Sequence, residues 1–237
     1  MPSELRSRVV EASAIGEELR RRMFGLFETY YDAVNYGTFS KDLAEKRCVL
    51  LLEDSKGGLQ GFTTVQVLDA DFDGKSARAL FSGDTIIHHE YRGEQTLPLA
   101  WFRLVGQIRA EKPEQRLFWF LIVKGDKTYR YLPAFFREYY PTRKGPTPEP
   151  HRRLMRELAT RKFGENYDDA SGVVRFASSL GHLKPKWAEP KSGAEEKPDV
   201  RFFLERNPGY REGHELVCLA ELHEDNMRSL GRKSLLG

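Results

Sequence analysis

The sequence predicts a mixed α/β fold, a mostly antiparallel sheet covered by helices. Three observations predict it. Apolar residues recur at helical spacing from Glu17 to Asn35 and from Thr96 to Glu111. Two strand-like runs, CVLLLED and GLQGFTTVQVLDA, flank the turn SKGG as a hairpin. RLFWFLIVK is an uninterrupted apolar run, the pattern of a strand buried on both faces. No internal repeat interrupts the order.

The elements follow in turn. Leu19, Met23, Leu26, Phe27, Tyr30, Tyr31 and Val34 lie on one helical face, and Asn35, Tyr36 and Gly37 are expected to stop that helix. Ser40 is placed to cap a short second helix, KDLAEK. After the hairpin, ARALFSGDTIIHHE reads as a long third strand. Gly83 inside it signals a bulge or a close backbone approach. The helix from Thr96 takes Thr96 as its cap and Pro98 in its first turn. Beyond RLFWFLIVK comes the aromatic stretch KTYRYLPAFFREYY. Then PTRKGPTPEP reads as a loop, HRRLMRELATRKFG as a basic helix, and SSLGHLKPKWAEPKSGAEEKP as a segment without periodicity. DVRFFLERNPGYREGHELVCLAELHED reads as two strands about an NPGY turn. The expected organisation is a core over residues 1–141, a helical and loop insertion over 142–199, and closing strands over 200–237.

Composition narrows the function classes. With 38 basic against 35 acidic residues, the net charge of +3 leaves no general nucleic-acid footprint, so nucleic acid is not an expected partner. Cys48 and Cys218 sit in apolar runs, where a thiol behaves as a small buried hydrophobe. There is no paired-cysteine motif and no HExxH spacing, so no metal is expected. The N-terminal stretch lacks the apolar core of a secretion signal, and no apolar run approaches the length of a membrane span, so the expected compartment is the cytoplasm. A homodimer is left open.

Residues 87–104, IHHEYRGEQTLPLAWFRL, carry a resemblance. A strand ending in an Arg-Gly turn that feeds an apolar helix resembles the GNAT acyltransferase superfamily, in which the corresponding segment reads like VHPEYRGKGIG. The resemblance extends over roughly residues 10–141 and the last strands. It implies an N-acyltransferase that moves an acyl group from a pantetheine thioester to an amine of a small molecule, amino acid or peptide. The retired form of the same fold, a binding or scaffold module, is the alternative. The donor it implies is acyl-CoA or an acyl-phosphopantetheine on a carrier protein. By position, the backbone amides of Ile87 and His88 would polarise the thioester carbonyl, and Arg92, Gly93, Glu94, Gln95, Thr96 and Leu97 would form the phosphate-binding turn. Gln95 and Leu97 stand where the superfamily has small residues. This departure suits either altered hydrogen bonds to CoA or a donor with a single phosphate. The basic stretches RKG, HRR and RKF could meet an acidic carrier protein or simply be solvated.

The chemistry needs a base, a polarised carbonyl and a proton for the departing thiolate. Asp84 is the first choice for base, because acids are rare in apolar strands; otherwise it is a sheet-edge carboxylate. His88 or His89 could relay a proton, and as neighbours on an extended chain they point to opposite faces, so at most one lines a cleft. Glu90 carries less weight. The superfamily's acid tyrosine corresponds to Phe136, which has no proton to give, so either Tyr129, Tyr131 or Tyr139 replaces it or the acid is dispensable, a thiolate being a tolerable leaving group at neutral pH. Arg206 and Arg211 flank the NPGY turn, and Phe24, Phe27, Tyr30 and Tyr31 could floor a pocket or serve as core.

Overall fold

A computed structural model of the chain describes residues 4–177, 180–229 and 231–232. In order, the elements are β1 (Arg6–Glu11), α1 (Glu17–Tyr30), β2 (Tyr31–Asp32), α2 (Tyr36–Ala44), β3 (Cys48–Glu53), β4 (Leu59–Phe72), β5 (Lys75–Ile87) and α3 (Thr96–Ala110). They continue with β6 (Arg116–Val123), α4 (Asp126–Tyr129), α5 (Tyr131–Phe135), α6 (Glu149–Phe163), β7 (Tyr167–Asp168) and β8 (Val173–Val174). The last are β9 (His182–Leu183), α7 (Pro185–Ala188), α8 (Pro198–Arg206) and β10 (Glu215–Glu221).

Eight strands form one sheet in the order β1-β3-β4-β5-β6-β10-β8-β7. Every pairing is antiparallel except β5 with β6, which α3 connects as a crossover. The fold is therefore the mixed, mostly antiparallel α/β sheet that the patterns predict. β6 shows why its run is apolar throughout. Leu117, Trp119, Leu121 and Val123 pack toward α3 and α5, while Phe118 and Phe120 pack toward α6 on the opposite face. α1 and α2 cover the β3–β5 end of that second face through Met23, Phe27, Tyr30, Phe39 and Leu43. Cys48 and Cys218 are free and buried in the core.

Four expectations are corrected. Asn35 does not stop α1. That helix ends at Tyr30, Ala33 takes a left-handed φ of 55°, and the Asn35 side chain caps α2 by accepting from the Thr38 amide at 3.1 Å. Ser40 accordingly lies inside α2. Thr96 is the first helical residue of α3, and Gln95 holds the cap position without a side-chain bond to the helix, its side-chain amide donating instead to the Gly93 carbonyl at 3.4 Å. Last, RFFLER is helix, not strand. Pro198 sits in the first turn of α8, and Val200 and Phe203, three apart, are both fully buried. β1 went unanticipated because, as an edge strand exposed at nearly every position, it shows no apolar alternation.

Gly83 does mark a bulge. Thr63 pairs with Thr85 and Val65 with Ser82, so Gly83 and Asp84 together oppose Thr64. A Cβ on Gly83 would lie 2.6 Å from Thr64 Oγ1 and 3.2 Å from Lys46 Cε. Any larger residue requires one of these side chains to shift.

Candidate active site

The bulge has a consequence for β6. β5 runs beside β6 from Ala77 opposite Arg116 to Ser82 opposite Leu121 and no farther. Past Ser82 it stays on β4 as far as Ile87, opposite Gly61. The two parallel strands therefore part, and residues 83–87 border a gap. The indole Nε1 of Trp119 donates to Ser82 Oγ at 2.9 Å where they separate. On one side the gap opens into a groove of about 1060 Å³. On the α3 side lies a small apolar pocket walled by Leu97, Pro98, Trp101, Tyr131 and Phe135.

Adjacent amides on an extended strand point to opposite edges. The His88 amide donates to the Gln60 carbonyl at 2.7 Å, which spends it on β4. The Ile87 amide consequently points the other way, into the gap. Of the two expected carbonyl polarisers, only Ile87 has that orientation.

Asp84 lies in the groove wall. Burial, with Asp42 nearby, pushes its carboxyl up to about 6, against the opposing pull of Lys124 and Lys46. These neighbours form a charged ring. Lys124 pairs with Glu215 at 3.5 Å, and Lys46, its side chain fully buried, pairs with Asp42 at 2.7 Å. Glu215 is also pushed up by burial. Tyr31 stacks on Phe27 at 4.5 Å in the same wall, and burial followed by the Asp84 charge raises its phenol.

The other expected residues scatter. His88 lies outside the groove wall, 3.6 Å from the Glu90 carboxylate, its imidazole lowered by burial and by His89. His89 binds Tyr30, whose hydroxyl accepts from the His89 amide at 2.7 Å. Tyr129 is fully buried and donates to the Pro141 carbonyl at 2.8 Å, so its hydroxyl is committed away from the groove. Tyr139 and Phe136 are buried as well. Tyr131 borders both the groove and the apolar pocket, its phenol raised by burial.

The turn before α3 is divided. Arg92 and Gly93 line the groove, with Gly93 at a φ of +97° that favours glycine. The Arg92 guanidinium packs on both Trp187 at 4.2 Å and Tyr30 at 5.1 Å, two rings that also touch each other at 5.2 Å. Glu94, Gln95 and Thr96 lie outside the groove wall, and Leu97 turns into the apolar pocket. Arg206 and Arg211 do not line the groove; Arg211 clamps Glu189 at 2.7 Å. Phe27 and Tyr30 from α1 and Tyr31 from β2 reach the groove, whereas Phe24 packs on Tyr36 and Phe39.

Sequence reasoning missed Lys46, Lys124, Glu215 and Trp187. Lys124 and Glu215 each sit at the end of an apolar strand, a placement that could have flagged them. Trp187 lies in a segment without periodicity and carried no signal. Among the described residues no group of three or more His, Cys, Asp or Glu side chains is placed to hold a metal ion, and no helix is long and apolar enough to cross a membrane.

No protein-family model matches the chain, and no curated protein matches it. Solved structures resemble it at low identity. A chain from Enterococcus faecalis described as a probable N-acyltransferase is 19% identical, with a TM-score of 0.41, over 57% of this chain and 33% of that one. A GNAT family N-acetyltransferase from Escherichia coli in complex with CoA is 14% identical, with a TM-score of 0.34, over 56% of this chain and 68% of that one. Glucosamine-6-phosphate N-acetyltransferase from Arabidopsis thaliana is 15% identical, with a TM-score of 0.35, over 46% and 77%. Each of these likenesses is partial, covering 46–57% of this chain at 14–19% identity.

Proposed function

We propose that the protein is an N-acyltransferase that moves an acyl group from a pantetheine thioester to an amine by direct attack. The parting of β5 from β6 beyond Ser82 carries this reading, because it turns the Ile87 amide and the Asp84 carboxylate toward one gap. The thioester lies in the gap with its carbonyl oxygen accepting from the Ile87 amide, which stabilises the developing oxyanion. Asp84, with its carboxyl near 6, is ionised at neutral pH yet basic enough to accept a proton from the attacking nitrogen. The nitrogen bonds to the carbonyl carbon, its proton passes to Asp84, and the C–S bond breaks. Tyr131 keeps its proton because burial raises its phenol, and it can give that proton to the thiolate. His88 and Tyr129 have no part in this scheme, because neither reaches the groove.

Either CoA or a carrier protein's phosphopantetheine can supply the thioester, and the acceptor is an amine of a small molecule, amino acid or peptide. The test is release of free thiol from acetyl-CoA, longer acyl-CoAs and acyl carrier protein with a panel of amines, alongside thermal shift by each donor. The expected result is amine-dependent release from at least one donor. No release and no stabilisation by any donor would instead support an idle binding module. That second reading draws on the bulky turn before α3 and on the buried Phe136 at the acid position.

A further inference from the structure

Most arginines of this chain are matched. Arg8 pairs with Glu53, Arg47 with Glu111, Arg116 with Glu221, Arg143 with Asp199, Arg152 with Glu149 and Arg211 with Glu189. Within the basic stretches RKG, HRR and RKF, much of the charge is likewise tied up, Lys162 holding Gln66 at 2.8 Å and Glu45 at 3.6 Å. Other cations have no ion pair among the described residues, and six of these converge on one groove. Arg92, Lys127, Arg130, Lys186, Lys191 and Lys197 all line the groove, and none has an ion-pair partner among the described residues.

The six come from three segments: the turn before α3, α4, and the stretch 184–197 that lies over Arg92 through Trp187. Lys127 ties α4 to that stretch by donating to the Trp187 carbonyl at 2.9 Å. Burial lowers its ammonium, and the charges of Arg92 and Lys191 add to that against the opposing pull of Asp126. The two acids nearest them, Glu189 and Asp126, offset six cations only in part. Glu189 is taken by Arg211, and Asp126 is buried, its carboxyl raised by desolvation. A concave surface lined by one sign of charge focuses its field on a ligand of the other sign.

The start of α3, by contrast, is poorly made for phosphate. Pro98 removes an amide donor from the first turn, Gln95 and Thr96 stay outside the groove wall, and Glu94 adds a like charge. We propose that the rim formed by α4 and the 184–197 stretch, with Arg92, is an anion site that holds the phosphate groups of the donor by lysine and arginine side chains in place of the helix start. The ligand chemistry is a phosphorylated pantetheine, free as CoA or attached to a carrier. Cations on three segments suit a ligand with phosphate at more than one position. As a donor site this rests on the acyl-transfer reading.

The experiment is calorimetric titration with CoA, 3′-dephospho-CoA, 4′-phosphopantetheine and pantetheine at several salt concentrations. Lys127→Met and the exposed Lys191→Glu are compared with the parent chain, and melting curves confirm that each variant is folded. The expected result is affinity that falls with each phosphate removed and with added salt, and a loss of about tenfold for CoA in each variant. Equal binding of CoA and pantetheine, or variants that bind CoA as the parent does, overturns the site. An acyl carrier protein that binds only when it carries its phosphopantetheine arm identifies the carrier as the source; CoA binding alone identifies the free cofactor. Acyl transfer from a phosphate-free pantetheine thioester separates the two proposals. Transfer at the CoA rate with unaffected variants leaves the reaction standing and removes the site. Salt-sensitive phosphate binding without transfer leaves the site and removes the reaction.

Discussion

Asp84 concentrates opposing demands in one carboxylate. It must be charged to act as a base, yet its surroundings disfavour charge. Activity in the proposed reaction should therefore rise with pH through about 6 and be lost as pH falls through that value. The sign for stability is opposite. The folded-state carboxyl lies above its unfolded value near 4, so the folded chain binds the extra proton. Stability is then greatest below about 4 and declines as pH rises to about 6. Asp84→Asn should cut kcat by roughly 100-fold or more with donor affinity retained, and should raise the melting temperature at pH 8 but not at pH 4. Unchanged turnover would retire the base assignment. Lys46 offers a second handle on the same group. Its buried ammonium sits beneath the bulge, against Asp42 and within reach of Gly83. Asp42 on α2, Glu215 on β10, Lys124 after β6 and Tyr31 on β2 are the other charged or titratable groups that face Asp84. Lys46→Met should shift the acidic limb of the rate profile to higher pH and cost no more than about 1 kcal/mol, because Asp42 loses its partner but still reaches water. A titration of rate against pH together with urea unfolding reads both. The two tyrosines divide by environment. Tyr131→Phe should lower kcat by about tenfold or more. Tyr129→Phe should cost about 1 kcal/mol of stability through the lost bond to Pro141 and leave turnover alone. Steady-state kinetics and melting curves on both variants check the division.

At the scale of elements, the bulge in β5 is the device on which the gap depends. Two residues on β5 oppose one on β4, so the strand twists away and β6 loses its neighbour after Leu121. Gly83→Ala forces its methyl against the Thr64 hydroxyl, which has no hydrogen-bond partner among the described residues. The substitution should cost about 1–3 kcal/mol, and Thr64→Ala in the same chain should restore part of it by making room. Urea midpoints of the single and double variants test this, and no recovery would mean that the obstruction is backbone or Lys46. The bulge was legible in the sequence because glycine weakens a strand interior, so one inside an apolar run marks a place where the ladder is broken or crowded. The helical character of RFFLER was not legible. Its apolar residues fall at positions that serve either a strand or a short helix, and what settles them is contact: Phe203 lies against Tyr129 and Tyr210.

Across the whole molecule, the stretch expected to be an insertion is woven into the same sheet. β8 pairs with β10, β7 with β8, and α6 fills the face above β6 with Leu154, Met155 and Leu158. Deleting residues 142–199 should therefore abolish cooperative unfolding, because it would bare that face and the β10 edge together. A sharp melting transition in the shortened chain would count against this account.

What the sequence by itself determined are the elements with strong local periodicity, the strand buried on both faces, the glycine bulge and the Arg-Gly turn that feeds α3. These signals are local, since each reports the burial or backbone conformation of its own residues. Only the tertiary structure decided which amide faces the gap, that Tyr131 rather than Tyr129 borders it, and that Lys46, Lys124 and Glu215 surround Asp84. It also brought Trp187 over Arg92 from a segment without pattern. Those facts depend on strand register and on residues distant in the chain, and pairwise proximity of that kind leaves no periodic trace in a single sequence.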